Sequence, residues 1–226
     1  KEFLQDMISD VSHQIKTPLS ALKMYQEIIE SHKNDAAAVS GFAEKSQREI
    51  RRMEDVIYTL LKLARLDAGI IRMEKTPERI ADLMGDVLER FETRAERERK
   101  TITLSGKDDT ILFCDALWVS EAVGNIVKNA LDHTEEGGHI AVRWRSSPVM
   151  TQIEISDDGK GIHPEDLYNI FKRFYRSRFS SDVHGIGLGL PLAKSIVEAH
   201  GGTISVNSAP NAGATFTLNF LGLTDE

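Results

Sequence analysis

The sequence predicts an α+β protein in two parts. An N-terminal antiparallel two-helix hairpin, which completes a four-helix bundle on dimerisation, is followed by a mixed or mostly antiparallel sheet with helices on one face. Two observations predict this. Apolar or small residues recur at alternating steps of four and three along two long stretches near the start of the chain. Further on, Ile140, Val142, Trp144; Ile153, Ile155; Ile204, Val206; and Phe216, Leu218, Phe220 alternate strictly with other residues, between segments of helical periodicity.

The first helix runs from Lys1 to about Ser31, with Leu4, Ile8, Val11, Ile15, Pro18, Leu22, Tyr25 and Ile29 on one seam. His13 lies at the f site of that register and should face solvent. Pro18 falls on the seam, removes a backbone donor and should bend the helix one turn after His13. His32 to Ala38 reads as a short connection. A second helix carries Ala43, Ser46, Ile50, Met53, Ile57, Leu60 and Ala64, and ends near Asp67-Ala68-Gly69, where Gly69 suits a C-terminal cap. A hairpin of two seam-bearing helices buries too little alone, so a dimer is expected.

Ile70 to Thr76 is a junction, and Pro77 opens the next unit. Glu78 to about Arg99 is an amphipathic helix, with Ile80, Leu83, Met84, Val87, Leu88 and Phe91 on one face. Thr101 to Leu104 and Thr110 to Cys114 are short strands, and Asp115 caps a helix to about Asp132. Pro164 to Phe171 reads as a short helix, and Leu188 to about Ala199 as another.

Composition narrows the function. The net charge of −7 argues against nonspecific binding to nucleic acid or anionic lipid, and no basic stripe suggests DNA recognition. Cys114 is the single cysteine, so no intramolecular disulfide can form, and its apolar run predicts a buried strand thiol. No apolar run is long enough to span a bilayer and no signal peptide is visible. The chain opens inside a helical pattern, and a fragment of something longer is expected.

Four segments of the second unit carry chemistry. Asn125 and Asn129, four apart on a helix, put two amides on one face, a donor set suited to Mg²⁺ that already carries phosphates. Asp157-Asp158-Gly159-Lys160-Gly161 follows a strand; its carboxylate can accept an adenine amine, and its glycines permit close backbone approach. Ile170 to Arg176 interleaves aromatics with cations, as a lid anchor that steers phosphates would. Gly185-Ile186-Gly187-Leu188-Gly189 opens a helix, where backbone amides cradle phosphate, and the polar Ser177 to His184 before it suits a lid. Gly213-Ala214-Thr215-Phe216 adds a hydroxyl entering the last strand. Each segment alone also fits a turn or a polar helix face. Together, in this order, they indicate a nucleotide site, and with it a phosphoryl donor for an exposed histidine nucleophile at His13.

With these residues in view, the chain resembles the sensor histidine kinases of two-component signalling. Asp10 to Leu19 resembles the phosphoacceptor H box, Asn125 to Thr134 the N box, Asp157 to Ile162 the G1 box, Ile170 to Arg176 the F box and Gly185 to Leu190 the G2 box. The resemblance implies residues 1–72 as a dimerisation and histidine phosphoacceptor domain and 77–226 as a catalytic α/β-sandwich ATP-binding domain of the gyrase and Hsp90 kind. It implies that His13 takes the γ-phosphoryl of ATP, with Asn129 and Asn125 on Mg²⁺ and Asp157, assisted by water and Thr215, on adenine. Gly159 and Gly161 would shape the base pocket, and Gly185, Gly187 and Gly189 the phosphate lid. Phe171 and Phe174 would pack the lid base, and Arg173 would reach phosphate. A homodimer, a response-regulator receiver partner, and a place as the cytoplasmic portion of a membrane-anchored sensor are also implied.

Two residues depart from the family pattern. Gln14 stands where the family usually has Glu or Asp, and an amide cannot take the proton at neutral pH. Gln14 then only orients His13, or another group such as Asp10 substitutes, and slower transfer is expected. Thr17 matches the position that holds water for dephosphorylating the partner. A phosphatase-dominant member is therefore one alternative, and an ATP-sensing docking scaffold another. Asp132 stands where many members carry Lys, and would repel phosphate unless it faces away; His133 beside it could stack on adenine.

Overall fold

A computed structural model describes residues 2–178 and 185–222, with side chains from residue 11 onward other than that of His13. Compact units divide at Lys62, giving Lys1–Lys62 and Leu63–Glu226.

The first unit is the hairpin. Helix α1 spans Glu2–Ser31 and continues through Pro18, which is buried on the predicted seam. Val11, Ile15, Leu22, Tyr25 and Ile29 are half-buried on the same seam; the side chains of Leu4 and Ile8 lie outside the described residues. Helix α2 spans Ala36–Asp67. It begins earlier than the sequence suggested because Asp35 caps it: Oδ1 accepts the N–H groups of Ala37 at 3.1 Å and Ala38 at 3.0 Å. Its C-terminus closes as expected on Gly69 (φ +62°), with Ile70 N–H on Arg65 C=O at 3.1 Å and Gly69 N–H on Leu66 C=O at 3.0 Å.

The seam of α2 differs from the expected one. Ser46, Met53 and Leu60 are covered as expected, but so are Phe42, Val56 and Leu63, and Phe42 meets Tyr25 of α1 with ring centroids 5.7 Å apart. Ala43, Ile50, Ile57 and Ala64, read as seam, are exposed in the single chain. The apolar surface is wider than one partner helix can cover, so the sequence pattern merged two adjacent ridges.

The second unit contains strand β1 (Thr76–Arg79), helix α3 (Ile80–Arg97), strands β2 (Thr101–Ser105) and β3 (Ile111–Cys114), helix α4 (Ala116–His133), strands β4 (His139–Ser146) and β5 (Met150–Asp157), helix α5 (Gly189–Ala199), and strands β6 (Thr203–Ser208) and β7 (Ala214–Leu221). The sheet order is β2-β4-β5-β7-β6, with β2 parallel to β4 and the other pairs antiparallel. Ile140, Val142, Trp144, Ile153, Ile155, Phe216, Leu218 and Phe220 are all buried. They share one sheet face with a buried helical layer that includes Met84 of α3, Ile126 of α4 and Ile196 of α5.

Strand β1 was not expected, because Pro77 lacks an N–H and reads as a break. It survives in a two-stranded ladder with β3, where Pro77 stands opposite Phe113. That ladder starts α3, as Ile80 N–H donates to Thr110 C=O at 3.0 Å. Cys114 is fully buried, and burial, with Glu78 and Asp115 nearby, pushes its thiol up to about 12. The predicted helix over Pro164 to Phe171 is a run of turns. Asp166 N–H bonds to His163 C=O, Asn169 to Asp166 and Lys172 to Asn169, all three-residue steps.

Candidate nucleotide site

The β5 register sets the site. Asp157 ends the strand with the parity of Ile153 and Ile155, so its carboxylate points to the helical side of the sheet. Oδ1 accepts Gly159 N–H at 3.0 Å and Ala214 N–H at 3.3 Å, which fixes the group and leaves Oδ2 for a further donor. Burial raises the Asp157 pKa; the two N–H groups and the nearby His133 offset part of that rise.

Thr215 is not brought beside Asp157. The β5–β7 register pairs it with Ser156 and gives Ala214 the place across from Asp157. Side chains alternate along a strand, so Thr215 projects from the opposite sheet face.

Helix α4 begins as predicted on Asp115, whose Oδ1 accepts Trp118 N–H at 3.3 Å. It carries Asn125, Asn129 and His133, all half-buried, at intervals of four along one face. Asn125 Nδ2 donates to Glu121 C=O at 2.9 Å, which turns Oδ1 toward the start of α5: a Cβ on Gly189 would lie 3.0 Å from that oxygen. The glycine loop therefore abuts the amide face. Among the described residues no group of three or more His, Cys, Asp or Glu could cage a metal. The neutral amides fit a cation that brings its own phosphate ligands.

The glycines divide by role. A Cβ on Gly159 would fall 2.4 Å from His133 C=O, and on Gly161 (φ +67°) 2.0 Å from Ala209 C=O. These two let backbones meet, rather than clearing space for a flat ring. Gly187 is likewise closed in, since a Cβ there would fall 2.6 Å from Tyr175 C=O, and its own carbonyl accepts Phe174 N–H at 2.8 Å. Gly185 faces open space. Sequence reading names Gly213 only as the lead-in to Thr215, whereas a Cβ there would meet Asp157 C=O at 1.9 Å. The signal for it was the Asn-Ala-Gly turn before the last strand.

Phe171 packs edge-on against the core ring of Phe216, centroids 6.4 Å apart, while Phe174 has φ +59°. Tyr175 Oη donates to the buried Asp166 at 2.6 Å. Arg173 forms an ion pair with Asp67, the last residue of α2. Asp132 points away from the amide face: Oδ1 accepts Arg94 Nη2 at 2.6 Å, Arg94 Nε bonds Glu98 at 2.7 Å, and Lys100 bonds Glu98 at 2.7 Å. The expected repulsion of phosphate by Asp132 is thus relieved by Arg94. Gln14 is half-buried and Thr17 exposed on α1; the His13 side chain and residues 179–184 of the expected lid lie outside the described residues.

Sheet, helical layer and glycine loop define an ATPase domain, and the comparisons with known proteins agree. Residues 114–224 match the histidine kinase-, DNA gyrase B- and HSP90-like ATPase family, and residues 3–69 match the His Kinase A phospho-acceptor domain. The chain is 30% identical over 216 residues to the sensor-like histidine kinase SenX3 of Mycobacterium bovis, covering 95% of this chain and 53% of SenX3. It is 34% identical over 201 residues to the sensor protein kinase PmrB of Pseudomonas aeruginosa, covering 88% of this chain and 42% of PmrB. Among solved structures, the Acinetobacter baumannii histidine kinase AdeS superposes with a TM-score of 0.78 at 20% identity, covering 94% of this chain and 98% of AdeS. Histidine kinase ThkA, solved in complex with response regulator protein TrrA, superposes with a TM-score of 0.79 at 20% identity, covering 98% of this chain and 63% of ThkA. The chain belongs to the sensor histidine kinases of two-component systems. It spans about half the length of the curated relatives it matches.

Proposed function

We propose that the chain is an ATP-dependent protein-histidine kinase core that phosphorylates His13 and passes the phosphoryl group to an aspartate of a response-regulator receiver domain. One observation carries this reading. A single chain joins a phospho-acceptor helix bearing His13 to a site with a fixed carboxylate, an amide face and a glycine loop suited to a magnesium nucleotide. We assign residues 1–72 to dimerisation and phosphoacceptance and 77–226 to ATP binding.

In this reading Asp157 Oδ2 accepts the adenine amine while Oδ1 stays on its two backbone donors. His133 borders the base pocket. Asn129 and Asn125 would hold a Mg²⁺ ion that brings its own phosphate ligands, and the ion would supply charge neutralisation there. Gly185 borders the phosphates. The neutral imidazole of His13 attacks the γ-phosphorus in line, and the bond to the leaving ADP oxygen breaks. Gln14 orients the ring, since it cannot take the proton. The exposed apolar residues of α2 support a homodimer. No described helix is long and apolar enough to cross a membrane.

Gln14 and Thr17 favour a second reading, in which dephosphorylation of the partner dominates. Incubation with γ-labelled ATP and Mg²⁺ separates the two. Acid-labile, base-stable label that vanishes in His13→Ala supports the kinase. A folded chain that binds ATP and takes no label overturns it and leaves the phosphatase or the ATP-sensing scaffold.

A further inference from the structure

We propose that Asp67 and Arg173 form a latch that holds the arginine off the nucleotide phosphates and opens when the nucleotide arrives. The proposal rests on the reading of the second unit as an ATP site.

Both residues belong to the unit Leu63–Glu226. Asp67 is the last residue of α2, and the backbone beyond it is pinned by the bonds from Gly69 to Leu66 and from Ile70 to Arg65. A carboxylate at a helix C-terminus faces the negative end of the helix dipole, so it gains more than usual from a cation. Arg173 supplies one, with side-chain accessibilities of 19% for the arginine and 44% for the aspartate.

The arginine also stands next to the glycine loop. Phe174, its chain neighbour, donates its N–H to Gly187 C=O at 2.8 Å, and the loop continues to Gly189 beside Asn125. A planar guanidinium binds phosphate by the same two-pronged geometry that it uses for carboxylate. Asp67 and a nucleotide phosphate therefore compete for one fork. Opening the pair leaves the Asp67 carboxylate at the helix end without that cation, which subtracts from phosphate affinity and leaves base binding untouched.

Calorimetric titration of ATP and of adenosine, with Mg²⁺, into the wild-type chain, Asp67→Asn, Arg173→Ala and the double variant tests this, with circular dichroism as the check on folding. Removing a part-exposed competing carboxylate should tighten ATP binding about two- to fivefold, with adenosine unchanged. Arg173→Ala should weaken ATP, and Asp67→Asn should add nothing in that background. Unchanged or weaker ATP binding in Asp67→Asn overturns the latch, as does a gain that persists without Arg173. A folded wild-type chain that binds adenosine but gains nothing from phosphates also overturns it. Failure to bind either ligand overturns the ATP reading itself, and the latch with it.

Discussion

Nε2 of His200 accepts the backbone N–H of Asp115 at 3.1 Å, so the imidazole is neutral and carries its proton on Nδ1, which donates to Ile196 C=O at 2.8 Å. This bond joins the C-terminus of α5 to the N-cap of α4. Asp115 Oδ2 in turn accepts Glu74 N–H at 3.0 Å, and Lys75 Nζ donates to His200 C=O at 3.1 Å. The segment before β1 is thus strapped to the ends of both helices that build the nucleotide site.

Acid should undo that strap. Burial lowers the His200 pKa below its ordinary 6.5, with Lys75 lowering it further and the Ile196 bond and Asp115 opposing. The native state then binds fewer protons than the unfolded chain. The stability that His200 contributes is complete above about pH 6.5 and is lost as pH falls through that value toward the native one. His200→Leu strands the Asp115 N–H and should cost about 1–3 kcal/mol at pH 7.5. Urea melts of both chains at pH 7.5 and 5.5 should show the wild type losing the larger part of its stability.

Asp157 carries a stability penalty for the role proposed for it. Its raised pKa means that burying the charge works against folding at neutral pH, where the carboxylate is ionised. Asp157→Asn keeps an oxygen for the N–H groups of Gly159 and Ala214 and removes that charge. The variant should melt at least as high as the wild type at pH 7. Its ATP affinity should fall about 10- to 100-fold, the equivalent of one charge-assisted hydrogen bond. Thermal melts and ATP titrations on the same sample check both halves.

Much of this was legible in the sequence because local chemistry and fold agree: Asp115 as a cap, Gly69 as a stop, alternation along β4, β5 and β7. What escaped depends on long-range register. Nothing local says that Thr215 faces away from Asp157, since one residue of slip in the β5–β7 pairing would reverse it. Strand β1 was hidden because Pro77 needs a partner 36 residues away, Phe113, to belong to a ladder. Asp132 looked like a flaw until Arg94, on another helix, accounted for it.

That last pairing makes a prediction of its own. Burial alone would raise the Glu98 carboxyl, but hydrogen bonds from Arg94 and Lys100 hold it down at about 2. Its contribution is full above the ordinary 4.5 and is lost as pH falls from there toward 2. Asp132→Lys restores the residue common in the family, yet sets a third cation against Arg94 and Lys100. It should destabilise the domain by about 1 kcal/mol, the scale of a part-exposed pair, and should not improve ATP binding. Asp132→Asn, which keeps an acceptor for Arg94, should lose less in the same urea melt.

The outward ridge of α2 bears on assembly. Ile50, Ile57 and Leu61 are 44%, 45% and 48% exposed in the single chain, and Ile50 and Ile57 stand one heptad apart. Ala43 and Ala64 extend the same heptad line, beside the ridge of Phe42, Met53, Val56 and Leu60 that is covered. A helix in a four-helix bundle needs such a width of apolar surface, because it packs against two neighbours. Ile57→Glu places a carboxylate in the middle of that line. An unpaired charge there, buried on association, should cost several kcal/mol and dissociate the proposed dimer at micromolar concentration. In the single chain the site is exposed, so helix content should persist. Sedimentation velocity beside circular dichroism reads both. A dimer indifferent to Ile57→Glu would locate the interface elsewhere, and a monomeric wild type would overturn the dimer itself.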